Sequence, residues 1–304
     1  DNALVVVDGE KGVCPQEREL LDRIGKMGIA HMVVRNKCDA GDAGPAQDGS
    51  IKVSAKTGRG IDALKERIAH LTPEQGGRRL IGDLLAPGDL VVLVVPIDAA
   101  APKGRLILPQ QQVIRDALEA GAAAVVTRDS ELEGTLKSLG RKPRLVVTDS
   151  QVFDKAAAAT PQDVLLTSFS ILMARYKGYL DTALSAVTAA EDLRDGDAVL
   201  IAEGCTHHRQ CEDIGTVKIP RWLREHSGRD LRFAVSSGAD FPEDLTPYKL
   251  VVHCGGCMLG EREVLYRMGE AARQGVPFLN YGVLIAWMQG ILPRATQVFA
   301  RGGN

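Results

Sequence analysis

From residue 90 onward the chain repeats one arrangement: a short run rich in valine, leucine and alanine, a polar turn, then a stretch with helical spacing. The runs are LVVLVVP (90–96), AAAVVT (122–127), RLVVTD (144–149), VLLTSFS (164–170), DAVLIAEGC (197–205), LRFAVSSG (231–238), LVVHCGG (250–256) and VPFLNYG (276–282). Runs this apolar need cover on both faces, and strands separated by helices pair in parallel. The fold class is therefore α/β. The same alternation opens the chain, with DNALVVVDG, AHMVVRNKCD and IKVSAKTG as strands and PQERELLDRIGKMG and GIDALKERIAHL as helices. Leu20, Leu21, Ile24 and Met27 share one face of the first helix, Pro15 suits its first turn and Gly28 its stop.

At 304 residues the chain exceeds the roughly 250 that one core usually holds, so several α/β units are expected. Residues 1–72 form the first. The turn-rich TPEQGGRRLIGDLLAPGD makes 73–88 a linker, 89–193 a second unit completed by the long run ILMARYKGYLDTALSAVTAAEDL (171–193), and 194–304 a third. No motif for chemistry occurs in 86–190, which makes the second unit a packing or subunit-association domain. A net charge of −2 provides no bulk attraction for polyanions, so neither nucleic acid nor a membrane surface is an expected partner. No apolar run reaches the roughly 18 residues of a membrane span and no leader pattern opens the chain, so a cytoplasmic location is expected.

Six cysteines do not make a disulfide framework in a chain this size, and four of them fall between 205 and 257. Cys205, His207, His208 and Cys211 lie in CTHHRQC; His253, Cys254 and Cys257 lie in HCGGC. Both groups follow strands, where open α/β sheets place ligands at the carboxyl edge. The pattern C-x-H, 45 residues, H-C-x-x-C therefore reads as a metal site. The two glycines of CGGC permit a sharp turn and let backbone N–H groups point at sulfur. On spacing alone, a closed zinc site of three cysteines and a histidine fits as well as an iron-sulfur cubane on three thiolates with one iron open. His207 is either a further ligand or a second-sphere group, and His253, by strand alternation, either ligates or turns to the opposite face. Glu203 reads as a surface carboxylate before an oxygen ligand, His208 as structural or exposed, Cys211 as a bystander or a spare thiolate, and Cys14 and Cys38 as inert. Lys218, Arg221 and Trp222 read as a helix covering the sheet before a basic and aromatic edge that balances an anionic precursor or docks a partner.

NKCD (36–39) after one strand and SAK (54–56) after the next resemble the guanine-recognition pair of translation-factor-like GTPases. Asp39 would accept from the two N–H groups that guanine offers and adenine lacks. Asn36 would buttress the loop, Lys37 would lie over the base and the Ala55 N–H would donate to the base oxygen, with Ser54 and Lys56 completing the second loop. No phosphate-cradling G-x-x-x-x-G-K-[ST] occurs, and VDGEKG (7–12) lacks its spacing and its hydroxyl. This chain is thus expected neither to bind GTP tightly nor to hydrolyse it, and no catalytic residue is assigned. A truncation upstream of ALVVVDG is the expected cause.

CTHHRQCEDIGTVKIPRWL, HCGGCM and NYGVLIAWMQGIL together resemble the C-terminal cluster domain of the HydF family, GTPases that mature iron-iron hydrogenase. The resemblance covers the whole chain and implies its architecture: the guanine-recognition half of a P-loop GTPase domain, a central dimerisation domain and an iron-sulfur cluster domain. It also implies a 4Fe-4S cluster on the cysteines aligned with Cys205, Cys254 and Cys257, a labile fourth iron, and GTP with Mg in the intact parent. A homodimer follows, with the FeFe hydrogenase catalytic subunit and the radical-SAM maturases as partners. The role implied is a scaffold and carrier for the two-iron subcluster. The alternative is a GTPase-derived protein with a structural zinc domain.

Overall fold

The structure is a computed structural model and describes residues 2–40, 49–71, 78–97, 106–204, 213–238 and 240–300. Among these, the strands form three sheets, every pairing parallel. The first has β1 (Asn2–Asp8), β2 (Ala30–Asn36) and β3 (Ile51–Lys52) in the order β1-β2-β3. The second has β4 (Leu90–Val94), β5 (Ala123–Thr127), β6 (Leu145–Thr148) and β7 (Leu165–Ser168) in the order β5-β4-β6-β7. The third has β8 (Ala198–Glu203), β9 (Arg232–Ser237), β10 (Leu250–His253) and β11 (Phe278–Asn280) in the order β11-β10-β8-β9. Every residue of β4, β6, β7 and β10 is buried, as two-sided helical cover requires. No described helix is long and apolar enough to cross a membrane.

Two compact units result, Asp1–Arg78 with Glu261–Tyr266, and Arg79–Gly260 with Arg267–Asn304. In the first, Val5, Val7 and Ile24 form one small core, while Met32, Val34 and Val53 form another. The second unit carries both four-stranded sheets. Leu80 and Ile81, inside the stretch expected to be a linker, are buried in the core around β4 and β6 with Val91, Leu93, Leu145 and Val147.

The long run 171–193 is not one helix. It divides into Phe169–Tyr176, Leu180–Ser185 and Val187–Glu191. Gly178 at φ +79° ends the first segment, a left-handed backbone that glycine adopts without a Cβ penalty. That break turns Lys177 and Tyr179 inward, leaving them 7% and 0% exposed. A further helix, Leu292–Ala300, follows the expected one at Tyr281–Met288 and packs on β7.

Candidate metal centre

In the third sheet the strand order reverses between β8 and β10: β9 lies beyond β8 on one side and β11 beyond β10 on the other. Helices leaving adjacent strands toward opposite faces open a crevice at their carboxyl ends, the usual ligand position in such sheets. His253 registers with Ala202 across β10 and β8, so Cys254 emerges beside Glu203, one residue before Gly204. The Cys254 N–H donates to the Ala202 carbonyl at 2.9 Å, extending the ladder by one residue.

The Cys254 sulfur receives two backbone donors. Gly204 N–H reaches Sγ at 3.0 Å and Gly256 N–H at 3.4 Å. Gly256 can turn back in this way because its φ is +64°. Gly204 is equally constrained, since a Cβ there would sit 2.9 Å from Leu259 Cγ and 3.4 Å from Gly256 Cα. At Gly255 an added Cβ would make only ordinary contacts, 3.5 Å from Met173 Cβ and 3.7 Å from Ser170 Oγ. Two N–H groups aimed at one sulfur suit a thiolate, which accepts and does not donate.

Gly204 directly precedes Cys205 in the sequence. Cys205, His207, His208 and Cys211 lie outside the described residues. Among the described residues no group of three or more His, Cys, Asp or Glu forms a metal cage. Cys254 and Cys257 are both partly exposed and neither is in a disulfide. Burial pushes the Cys257 thiol up, opposed by backbone donors and by the nearby Lys177 charge.

His253 has partners of its own. It is fully buried in β10, with Nδ1 2.7 Å from the Cys254 carbonyl and Nε2 3.5 Å from an Arg267 guanidinium nitrogen. Tyr179 and Phe278 contact its ring at centroid distances of 6.4 and 5.3 Å. Burial, with a smaller contribution from the Arg267 charge, lowers its pKa to about 4 against the pull of the Cys254 carbonyl. The neutral ring thus donates through Nδ1 and accepts through Nε2. An unfolded histidine takes a proton near pH 6.5 and this one near 4, so the unfolded chain binds more protons between those values. Metal-free protein is therefore expected to lose stability as pH falls from about 6.5 toward 4, and a His253→Gln variant to show a flatter profile in urea titrations across that window.

The carbonyl of Cys254 has a second donor, Tyr179 Oη at 3.1 Å. Tyr179 Oη accepts from Asn280 Nδ2 at 2.9 Å, while Asn280 Oδ1 caps the following helix by accepting from Gly282 N–H at 2.8 Å and Val283 N–H at 3.3 Å. Ser170 Oγ donates to the same Oδ1 at 3.1 Å. Burial holds the Tyr179 phenol well above its ordinary value, so it remains a donor at every working pH. Tyr179→Phe leaves a buried carbonyl with one donor and Asn280 without an acceptor, and is expected to cost about 1–3 kcal/mol in denaturant unfolding.

Glu203, expected on the surface, is 2% exposed. It ends β8 beneath Gly215, where a Cβ would collide with both the Glu203 carboxylate and the Tyr281 hydroxyl. Lys218 Nζ donates to Gln151 Oε1 at 2.8 Å, Trp222 is half-buried and Arg221 exposed. Lys177, Tyr179 and Asn280 were not legible as site residues. The glycine at 178 inside a helical pattern was the one sequence signal for the first two.

In the first unit, Asn36 Oδ1 accepts from Lys37 N–H at 2.8 Å and from Ala55 N–H at 2.9 Å, tying the two loops together. Ser54 Oγ donates to Asp39 Oδ1 at 2.5 Å, and that bond, more than any other influence, holds the Asp39 carboxyl below its usual range. Lys37 adopts φ +65° and its ammonium bonds Asp8 at 2.9 Å. Lys56 is exposed.

Residues 80–178 match the Hydrogen maturase F dimerization domain, and residues 181–298 match the Hydrogen maturase F tetramerization domain. The chain belongs to the hydrogen maturase F (HydF) family. Both matched domains of this HydF chain are self-assembly domains by description, and their junction falls within a few residues of Gly178. The HydF chain is also 30% identical over 187 residues to translation initiation factor IF-2 of Cutibacterium acnes, and 25% identical over 217 residues to elongation factor 4 of Crocosphaera subtropica. Those alignments cover 55% and 67% of this chain but only 18% and 30% of the two factors. An NtrC family transcriptional regulator from Clostridium acetobutylicum aligns over 67% of this chain and 97% of its own at 11% identity, with a TM-score of 0.22.

Proposed function

We propose that this HydF-family chain holds a 4Fe-4S cluster on the thiolates of Cys205, Cys254 and Cys257 and serves as scaffold and carrier for the two-iron subcluster of FeFe hydrogenase. One observation carries the reading: Cys254 Sγ accepts N–H groups from Gly204 and Gly256 where two adjacent parallel strands end. The donor set fits the group, because soft thiolates ringed by backbone donors suit iron and sulfide. When bound, such a cluster offers an iron with an exchangeable position to the cargo. The chain's own part is to point sulfur into the crevice, fix the Cys254 carbonyl between His253 and Tyr179, and keep His253 neutral behind the strand. His207 remains a candidate for the open position or its surroundings.

Guanine recognition by Asn36, Lys37, Asp39, Ser54, Ala55 and Lys56 is proposed alongside, with GTP and Mg as the proposed ligands. The likeness to two translation factors and the Asn36 tie between the loops support it. The hydrogenase catalytic subunit and the radical-SAM maturases are the proposed partners, and a cytoplasmic homodimer is the proposed state.

Anaerobic reconstitution with iron and sulfide tests the reading. A brown chromophore with equal iron and sulfide and a paramagnetic signal on reduction is expected; stoichiometric zinc with no colour would establish the structural-zinc alternative instead.

A further inference from the structure

The helix Ile219–Ser227 seats Ile219, Pro220 and Leu223 in the interior and turns Arg221, Trp222 and Glu225 outward. Beside it runs the helix Tyr281–Met288. Between the two lies an open groove of about 320 Å³, whose apolar walls are Trp222, Ile285 and Met288. One rim is fixed. The His226 and Trp287 ring centroids are 4.4 Å apart, and the Trp287 indole N–H donates to Glu191 Oε1 at 3.3 Å.

Three groups on this face are left without partners. Among the described residues Arg221 and Glu225 make no ion pair, not even with each other one helical turn apart, and the Trp222 indole N–H makes no hydrogen bond. Arg224 differs: it donates to the Leu231 carbonyl at 2.7 Å and lies over the Phe233 ring at 4.8 Å. A half-buried tryptophan on a groove walled by methionine is the side-chain chemistry of interface anchors, because an indole covers much apolar area and a thioether adapts to what it meets.

The charges on this face are complementary to themselves. A second copy related by a two-fold axis lays its helix antiparallel on the first, which brings Arg221 of each chain opposite Glu225 of the other. Both helices also lie within 181–298, the stretch matched to a tetramerization domain, a description that does not say which surface associates.

We propose that this groove docks a second copy of the chain, with Trp222 of each copy seated against Ile285 and Met288 of the other and with Arg221 and Glu225 forming reciprocal ion pairs across the two-fold axis. The surface is separate from any association through residues 80–178, and it does not depend on the cluster reading.

Sedimentation equilibrium on the full chain tests the contact. Trp222→Ala is expected to halve the mass of the largest wild-type assembly. Arg221→Glu makes a copy acidic at both positions and Glu225→Arg a copy basic at both, so each alone is expected to weaken the association tenfold or more by setting like charges face to face. Mixed in equal amounts, the two charge variants are expected to recover the wild-type mass, because an acidic copy then meets a basic one. An effect confined to one chain would not predict that recovery. A monomeric wild type, a wild-type mass in Trp222→Ala, or a mixture no heavier than its components overturns the proposal. If Trp222→Ala fails to fold, as judged by loss of its unfolding transition, the mixing result decides alone.

Discussion

Cys254→Ser is expected to lower bound iron at least tenfold after anaerobic reconstitution and to remove the reduced-state paramagnetic signal. A serine hydroxyl is isosteric enough to keep the loop but does not ionise near neutral pH, and its hard oxygen is a poor ligand for iron-sulfur iron. The backbone contacts of residue 254 do not depend on sulfur. Its N–H still donates to Ala202 and its carbonyl still accepts from His253 and Tyr179. The unfolding transition of the metal-free variant should therefore stay close to wild type, which separates loss of a ligand from loss of fold. Cys257→Ser and Cys205→Ser should behave alike, and Cys14→Ser, at the start of the first helix of the other unit, should leave iron unchanged. Wild-type iron content in Cys254→Ser would refute the site as drawn.

Gly60→Ala should destabilise the first unit by roughly 2–4 kcal/mol. Gly60 has φ +76°, where an L side chain costs about 1 kcal/mol or more, and its Cβ would collide with the Lys52 carbonyl oxygen and approach Val53 Cα at 3.4 Å. Both neighbours are backbone at the end of β3 and cannot rotate away, so overpacking adds about 1–3 kcal/mol. The cores beneath are small, three buried residues each, and have little stability to spare. Limited proteolysis should then cut within residues 49–71 while the unit containing both four-stranded sheets stays protected. By contrast, Gly58→Ala also meets a left-handed φ, +79°, but open space, and should cost only about 1 kcal/mol. Equal resistance of Gly60→Ala and wild type would show that the β3 end relaxes more easily than its geometry implies.

How much of this was visible beforehand differs from element to element. The eleven strands follow apolar runs already marked by their residues, and Pro15 and Gly28 bracket the first helix almost where the structure puts it. Within 171–193 the apolar pattern continues across Gly178, and only a left-handed turn, decided by packing on either side, interrupts it. Glu203 was misplaced for a related reason. A carboxylate beside a turn is usually solvated, and nothing local announces that Gly215 and Tyr281 close over it.

The sequence by itself determined the α/β class, the strand identities, the C-x-x-C turn with its glycines, and the Asn36 and Asp39 pair, because each depends on residue type and spacing within a few positions. Only the tertiary structure decided that strand order reverses between β8 and β10, that Gly204 therefore lies against the Cys254 sulfur, and that Lys177 and Tyr179 reach the loop from another layer. The physical reason is that parallel strands pair through long crossovers. Periodicity records which faces are buried, but which strand lies beside which is settled by packing between segments far apart in the chain.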